Sequence, residues 1–177
     1  MSGIVDASRI YLDTNAIIYA FEHATDLGNR IRSLLFLEPA ERRAIVTSEL
    51  TLAECIVRPM RENNDDLRDR YEDLLSRNDI IETWPIDWVM LHMAGKLRAD
   101  HKTLRLPDAI HIATALAAGC DVMLTGDGRL QSEYIFQLSS TFGPRHWHVR
   151  PTRIALVNMH ANDQAAFNAL LEPEFWR

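Results

Sequence analysis

The sequence predicts an α/β fold in which helices cover both faces of one mainly parallel β-sheet. Three observations support this. Short apolar runs alternate with longer segments of helical periodicity, which is the pattern of consecutive βαβ units. The length of 177 residues suits a single domain with a full hydrophobic core. A hydrophobic content of 47% and a charged content of 25% are those of an ordinary globular protein.

The first half of the chain is predicted to contain two strands and several helices. The strands are brief apolar runs, RIYL and AIVT, and each leads into a segment with apolar residues on one helical face. A later segment, ENNDDLRDRYEDLLSRN, is dense in charge but keeps apolar residues at helical spacing, which is typical of a solvated helix with one buried face. The predicted order is a strand at 9–12, helices at 16–21 and 27–37, a strand at 44–47, a helix that begins near Leu50, and the charged helix within 62–78.

The second half continues the alternation and then becomes harder to interpret. Turn residues cluster in SSTFGPRHW, residues 139–147, and mark a possible boundary. We therefore predict a main domain over 1–140 and a C-terminal extension of the same domain over 141–177. The predicted elements are a strand at 80–84, helices at 87–99 and from Pro107 onward, a strand at 122–124, one more strand within 147–157 and a short helix at 163–171.

Composition and charge exclude some classes of protein. The formal net charge is -6, so no overall basic character indicates non-specific binding to nucleic acid. Cys55 and Cys120 stand among apolar neighbours and do not form a disulfide framework. The start, MSGIVDASRI, does not have the basic start followed by an apolar run that a signal peptide has, and the apolar stretch 109–120 is shorter than the roughly 20 residues that span a bilayer. We expect a cytoplasmic protein without membrane contact.

Four acidic residues stand beside apolar segments. Asp13 directly follows the first strand, and Asp127 follows the strand at 122–124. Glu54 lies about two turns into the helix after the second strand, and Asp108 stands at the head of an apolar helix. Because ligands of open parallel sheets bind beyond the carboxyl ends of the strands, we expect these four acids to converge at one edge of the sheet.

Each acid also has an ordinary structural explanation. Asp13 is suited to cap a helix, and Asp108 suits the first turn of one. Asp127 starts a common Asp-Gly turn, and Glu54 has Arg58 one helical turn later as a possible partner. None of these explanations accounts for the convergence. Clustered carboxylates repel each other unless cations lie between them, and Mg²⁺ or Mn²⁺ suits such oxygen ligands.

Three stretches of the chain resemble PIN-domain proteins and, more narrowly, the VapC toxins of bacterial toxin–antitoxin pairs. These are IYLDTNAIIYAF, VTSELTLAECIVRPMRENN and LRLPDAIHIATALAAGCDVMLTGDGRL, and the resemblance runs from Arg9 to Leu130. It implies a three-layer α/β/α sandwich around a central, mainly parallel sheet. Carried over by position, the family's catalytic and metal-binding acids fall on Asp13, Glu54, Asp108 and Asp127, and the polar residues that line such sites fall on Asn15, Ser48 and Thr125.

The chain departs from the family pattern after the last acid. Some members carry a further acid there, whereas this chain has Gly128 and Arg129. The site could therefore bind either one cation or two. The segment from about Ser139 onward is longer than a typical member needs, and the resemblance implies nothing about it.

An acid cluster without a Ser–His–Asp or Cys–His arrangement indicates metal-assisted hydrolysis of a phosphodiester. The resemblance implies a Mg²⁺- or Mn²⁺-dependent endoribonuclease, with Asp13, Asp108 and Asp127 as principal metal ligands and Glu54 ligating directly or through water. It also implies a homodimer and inhibition by a small antitoxin protein. Basic residues beside the acids would contact the RNA backbone, although each also suits a solvated surface. They are Arg58, Arg61, Lys96, Arg98, Lys102, Arg105 and Arg129.

Two other functions remain open. The first is a PIN-fold interaction module without catalysis, against which the four clustered acids argue. The second is a metal-dependent DNA nuclease or phosphatase. A phosphatase that forms an aspartyl-phosphate would typically carry a second Asp two residues after Asp13, and the chain has Asn15 there. We assign no function to His146 and His148, which alternate in RHWHV, or to His111, whose neighbours indicate packing.

Overall fold

The computed structural model describes residues 9–36, 44–76, 80–136, 141–142, 145–146 and 152–160. The strands within these ranges are β1 (Arg9–Leu12), β2 (Ala44–Ser48), β3 (Glu82–Trp84), β4 (Val122–Thr125), β5 (Glu133–Phe136), β6 (Thr141–Phe142), β7 (Arg145–His146) and β8 (Thr152–Asn158). The helices are α1 (Thr14–Glu22), α2 (Asp26–Leu35), α3 (Glu49–Cys55), α4 (Val57–Glu62), α5 (Asp65–Leu75), α6 (Trp88–Asp100) and α7 (Leu106–Ala117).

The central sheet of the described residues has the strand order β3-β2-β1-β4-β8-β5. All neighbouring pairs are parallel except β5 and β8, which are antiparallel. In register, Ile10 lies opposite both Ile45 and Val122, so β1 is at the centre of the sheet. The expected mainly parallel sheet is confirmed.

Helices cover both faces of the sheet because side chains alternate along each strand. Ile10 and Leu12 face one hydrophobic core, to which α1, α2 and α5 contribute. Tyr11 faces a second core, which is formed with α6 and α7. The expected three-layer α/β/α sandwich is therefore confirmed.

Local polar residues fix where several helices begin. The side chains of Asp13, Thr25, Asn64 and Asp87 each accept a hydrogen bond from a backbone amide in the first turn of the helix that follows. At the other end of α7, Gly119 adopts a φ of 68°, a conformation that suits glycine and turns the chain toward β4.

The structure differs from the sequence-based expectations in two places. The single helix predicted from Leu50 is two helices, α3 and α4, because Pro59 has no amide hydrogen with which to continue α3. Strand β5 was not predicted. The strand predicted within 147–157 is β8, and it lies inside the sheet between β4 and β5.

The remaining predictions about secondary structure concern the C-terminal part of the chain. The cluster of turn residues at 139–147 includes the short antiparallel pair β6 and β7. The predicted helix at 163–171 and His148 lie outside the described residues. Within the described ranges, no helix combines the length and apolar character needed to cross a bilayer.

Candidate metal centre

A pocket of about 240 Å³ lies at the carboxyl edge of the sheet, where β1 and β2 lead into α1 and α3. Three of the four predicted acids line it, together with a histidine that the sequence analysis left without a function. The lining residues are Asp13, Thr14, Asn15, Ile18, Glu54, Asp108 and His111.

Asp13 connects the end of β1 to the start of α1 and is 5% exposed. One carboxylate oxygen accepts the Ala16 amide at 2.9 Å, which is the helix cap, and the other accepts the Thr125 hydroxyl at 2.5 Å. Burial raises the pKa of Asp13 despite these hydrogen bonds. The residue therefore caps the helix and also brings a poorly hydrated carboxylate to the pocket wall.

Asp108 and Asp127 approach each other from α7 and from the loop after β4. Burial, and after it the negative charge of Asp127, raise the pKa of Asp108. Asp127 is not among the pocket-lining residues, because its carboxylate turns to Arg129, whose Nε lies 2.8 Å from Oδ1 and whose Nη2 donates to Oδ2. These hydrogen bonds lower the pKa of Asp127. The backbone amide of Asp127 also donates to the Thr125 hydroxyl at 3.0 Å, which ties this loop to Asp13.

Glu54 projects from α3 toward α1 and α7. Its Oε2 accepts hydrogen bonds from the Thr14 hydroxyl and from His111 Nε2, the latter at 3.1 Å. Burial acts to raise the pKa of Glu54, but the hydrogen bonds from His111 and Thr14 outweigh it and the pKa is lowered. The suggested pairing of Glu54 with Arg58 is wrong. Arg58 instead contacts Glu22 and Glu62, and most of its side chain is exposed.

His111 belongs to the pocket, although its neighbours in the sequence indicated packing. Its ring is buried and contacts Glu54 through Nε2 and the Tyr11 hydroxyl through Nδ1, the latter at 2.7 Å. One signal in the sequence could have indicated this position. His111 follows Asp108 by three residues, which places both side chains on the same face of α7.

The three expected polar residues lie at different depths. Asn15 lines the pocket and is exposed. Ser48 and Thr125 are buried, and neither is among the pocket-lining residues. Thr125 holds Asp13, whereas the Ser48 hydroxyl lies 3.5 Å from His111 Nδ1.

Two of the basic residues are placed to act on the acids. Arg105 and Arg129 both lower the pKa of Asp127 through their positive charge. Three of the other basic residues have partners outside the acid cluster: Arg58 pairs with Glu22 and Glu62, Lys96 pairs with Asp100, and Arg98 donates to the Leu104 carbonyl. The remaining two, Arg61 and Lys102, are exposed.

Comparison with known families identifies the fold. The PIN domain family matches residues 10–134, which include all four acids and His111. The chain belongs to the PIN domain family. No curated protein matches the chain.

Solved PIN structures have the same fold. A Mycobacterium tuberculosis VapC20, described as a sarcin-ricin loop cleaving toxin, aligns with a TM-score of 0.56 at 15% identity, over 67% of this chain and 90% of its own. VapBC2 from Rickettsia felis, bound to a DNA fragment from its promoter, aligns at 0.53 and 19% identity, over 67% and 87%. A toxin–antitoxin complex from Klebsiella pneumoniae aligns at 0.51 and 24% identity, over 67% and 86%.

The acids of this PIN domain fit a hard divalent cation. The pocket is lined by the carboxylates of Asp13, Glu54 and Asp108, and burial raises the pKa of both Asp13 and Asp108. A cation would offset the lost hydration of these carboxylates and the repulsion between Asp108 and Asp127. Among the described residues, no three His, Cys, Asp or Glu side chains form a ready-made cation cage. Asp127 is engaged by Arg129 and Glu54 by Thr14 and His111, so these two acids have other partners in this arrangement.

Proposed function

We propose that this PIN domain is a Mg²⁺- or Mn²⁺-dependent endoribonuclease and the toxin of a toxin–antitoxin pair. The observation that supports it best is the meeting of three carboxylates, from Asp13, Glu54 and Asp108, in one pocket at the carboxyl edge of a PIN fold. Clustered acids in a partly buried pocket are costly for a purely structural module, and a cation-dependent reaction accounts for them.

In this proposal the four acids have two different functions. Asp13, Asp108 and Asp127 hold the cation, and Glu54 orients the attacking water or contributes a further ligand. A bound divalent cation supplies Lewis-acid activation of water and neutralises charge on the phosphate. Thr125 keeps Asp13 in place by its hydroxyl hydrogen bond, and Arg129 must release Asp127 if this acid is to become a ligand.

The choice of RNA as substrate is supported by the fold and by two basic residues. The VapC20 structure, which has the same fold, is described as that of a toxin that cleaves the sarcin-ricin loop. Arg105 and Arg129 lie close enough to Asp127 to shift its pKa, so they are placed to contact a phosphate beside the acids. Contacts with phosphate do not select a base, so any base preference would come from other contacts.

An antitoxin and a second copy of the chain are the partners that we propose. A structure from Klebsiella pneumoniae with the same fold is described as a toxin–antitoxin complex, and VapBC2 from Rickettsia felis also has this fold. We propose that a small antitoxin protein inhibits this chain in the cytoplasm and that the chain forms a homodimer. Sedimentation that shows only monomer at micromolar concentration would exclude the dimer. Normal bacterial growth despite soluble expression of the isolated chain would exclude the toxin function and leave the nuclease proposal intact.

A substrate panel tests the activity itself. RNA, DNA and a small phosphoester are incubated with the protein in Mn²⁺ and in excess EDTA, alongside Asp13→Asn, Asp108→Asn and the control Asp66→Asn, which makes the same change on an exposed helix face. We expect RNA cleavage that requires Mn²⁺, is lost in the first two variants and is kept in the third. Cleavage of DNA or of the phosphoester alone would favour the other enzyme classes, and no cleavage at all would favour the interaction module.

A further inference from the structure

A line of buried hydrogen bonds leads from the centre of the sheet to Glu54. It begins at Tyr11 in β1, whose hydroxyl lies 2.7 Å from Nδ1 of His111 in α7. His111 Nε2 then lies 3.1 Å from Oε2 of Glu54 in α3. The line thus joins a strand and two helices that are far apart in the sequence, and its last member lines the pocket.

For a neutral imidazole, the chemistry of its two partners fixes which ring nitrogen carries the hydrogen. An ionised carboxylate only accepts hydrogen bonds, so His111 Nε2 must carry a hydrogen toward Glu54. In a neutral imidazole, Nδ1 then has a free lone pair and accepts from Tyr11. The Tyr11 hydroxyl carries a hydrogen and lies 2.7 Å from Nδ1, so it can donate to that lone pair. Ser48 is the more distant neighbour of Nδ1, at 3.5 Å.

Both donors that reach Glu54 contact the same oxygen. The Thr14 hydroxyl and His111 Nε2 donate to Oε2, and within the described residues Oε1 accepts no hydrogen bond. Oε1 is therefore the oxygen left for a cation or for its water. The Thr14 hydroxyl oxygen and His111 Nε2 are 3.3 Å apart, so the two donors reach Oε2 side by side.

We propose that Tyr11 and His111 act as a positioning pair for Glu54, with Tyr11 selecting the imidazole form that donates from Nε2 and His111 holding Oε2 so that Oε1 serves the reaction. This proposal rests on the proposed function, in which Glu54 acts in metal-dependent hydrolysis. His111 is a positioning residue, because it acts through Glu54 and need not contact the substrate. Hydrogen-bond partners of metal ligands typically change metal affinity or activity by about 10- to 100-fold when removed.

Two amide substitutions separate positioning from simple packing. The amide nitrogen of Gln reaches the place of imidazole Nε2, so His111→Gln keeps a donor to Glu54. The shorter Asn reaches only the place of Nδ1, so His111→Asn loses that donor and leaves Glu54 less constrained. Both changes put a polar amide into the same buried position, so a packing function alone predicts similar losses from the two variants.

The first test examines the tautomer in the metal-free protein. Nitrogen NMR of the histidine rings distinguishes a protonated from an unprotonated ring nitrogen, and His111 is assigned by its loss in His111→Gln. We expect the hydrogen on Nε2 in the wild type and a mixture of the two tautomers in Tyr11→Phe. A hydrogen on Nδ1 in the wild type would overturn the proposal whether or not the protein cleaves RNA.

The second test measures kcat and KM for RNA in saturating Mn²⁺. We expect kcat to fall by about 10-fold or more in His111→Asn and Tyr11→Phe, with little change in KM, and to stay within about 3-fold of the wild type in His111→Gln. Thermal unfolding of each variant verifies that it is folded. Equal losses in folded His111→Asn and His111→Gln would overturn the positioning function, whereas a wild type that cleaves no RNA would refute the proposed function itself.

Discussion

Replacing Asp13 by Asn should stabilise the metal-free protein even though it should abolish cation binding. The Asp13 carboxyl is 5% exposed, and burial raises its pKa. A pKa that is raised in the folded state gives stability that is present below the ordinary carboxyl pKa and is lost as the pH rises through the folded-state pKa. At neutral pH the ionised Asp13 therefore weakens the fold, and a neutral amide removes this cost.

The contacts of Asp13 set the expected size of the effect. Asn caps a helix about as well as Asp, so the hydrogen bond with the Ala16 amide should survive. Its amide nitrogen can donate to the Thr125 hydroxyl oxygen, which has two lone pairs and accepts only the Asp127 amide among the described residues. With the cap kept and the direction of the Thr125 hydrogen bond reversed, we expect a gain of about 1 kcal/mol in the free energy of unfolding. For a chain of this length, that is a rise of roughly 2–4 °C in Tm.

The assay is urea unfolding from pH 4 to pH 8, in EDTA and in Mn²⁺, with Asp13→Ala as the control. Ala loses both contacts, and the lost cap alone should cost about 1 kcal/mol. In EDTA the advantage of Asp13→Asn should grow as the pH rises. In Mn²⁺ at 100 times its Kd, the free energy of unfolding of the wild type should rise by about 2.7 kcal/mol. The wild type should then be more stable than Asp13→Asn. An Asn variant that is less stable than the wild type in EDTA at pH 7 would refute the buried-charge reasoning.

Three further substitutions test the surroundings of the pocket and the packing of the helices. Arg129→Gln should tighten Mn²⁺ binding several-fold in calorimetry, because Arg129 occupies both oxygens of Asp127 in the metal-free chain; unchanged binding would argue against Asp127 as a ligand. Gly28→Ala should destabilise the fold, because its Cβ would lie 2.2 Å and 2.7 Å from two backbone carbonyl oxygens, whereas a Cβ at Gly95 would meet nothing within 4 Å. Gly95→Ala should therefore stabilise helix α6 by about 0.5–1 kcal/mol in denaturant unfolding. A Gly28→Ala variant that is more stable than Gly95→Ala would contradict the packing of α2.

Local signals in the sequence were sufficient for the strands at the centre of the sheet. The run RIYL is fully apolar apart from its first residue, and Asp13 directly after it both ends the strand and caps the helix. Because parallel strands place their carboxyl ends at one edge, the expectation that acids after different strands would meet followed from the order of the elements alone. The structure brings Asp13, Glu54 and Asp108 to one pocket.

Such local signals could not predict contacts between distant parts of the chain. The sequence offered Arg58 as a partner for Glu54 by helical spacing, but Thr14 and His111, from α1 and α7, are nearer once the helices pack. The position of β8 inside the sheet likewise depends on pairing with β4 and β5, and no local pattern encodes it.

The most direct test of the central claim is to locate Mn²⁺ by anomalous diffraction in crystals of the protein. We predict a peak in the pocket with oxygens of Asp13 and Asp108 at about 2.1 Å, close to the distance that Mg²⁺ takes to oxygen ligands. Glu54 Oε1 should lie beside it, either as a ligand or through one water. A peak elsewhere on the molecule, or an empty pocket at a Mn²⁺ concentration that supports RNA cleavage, would contradict it.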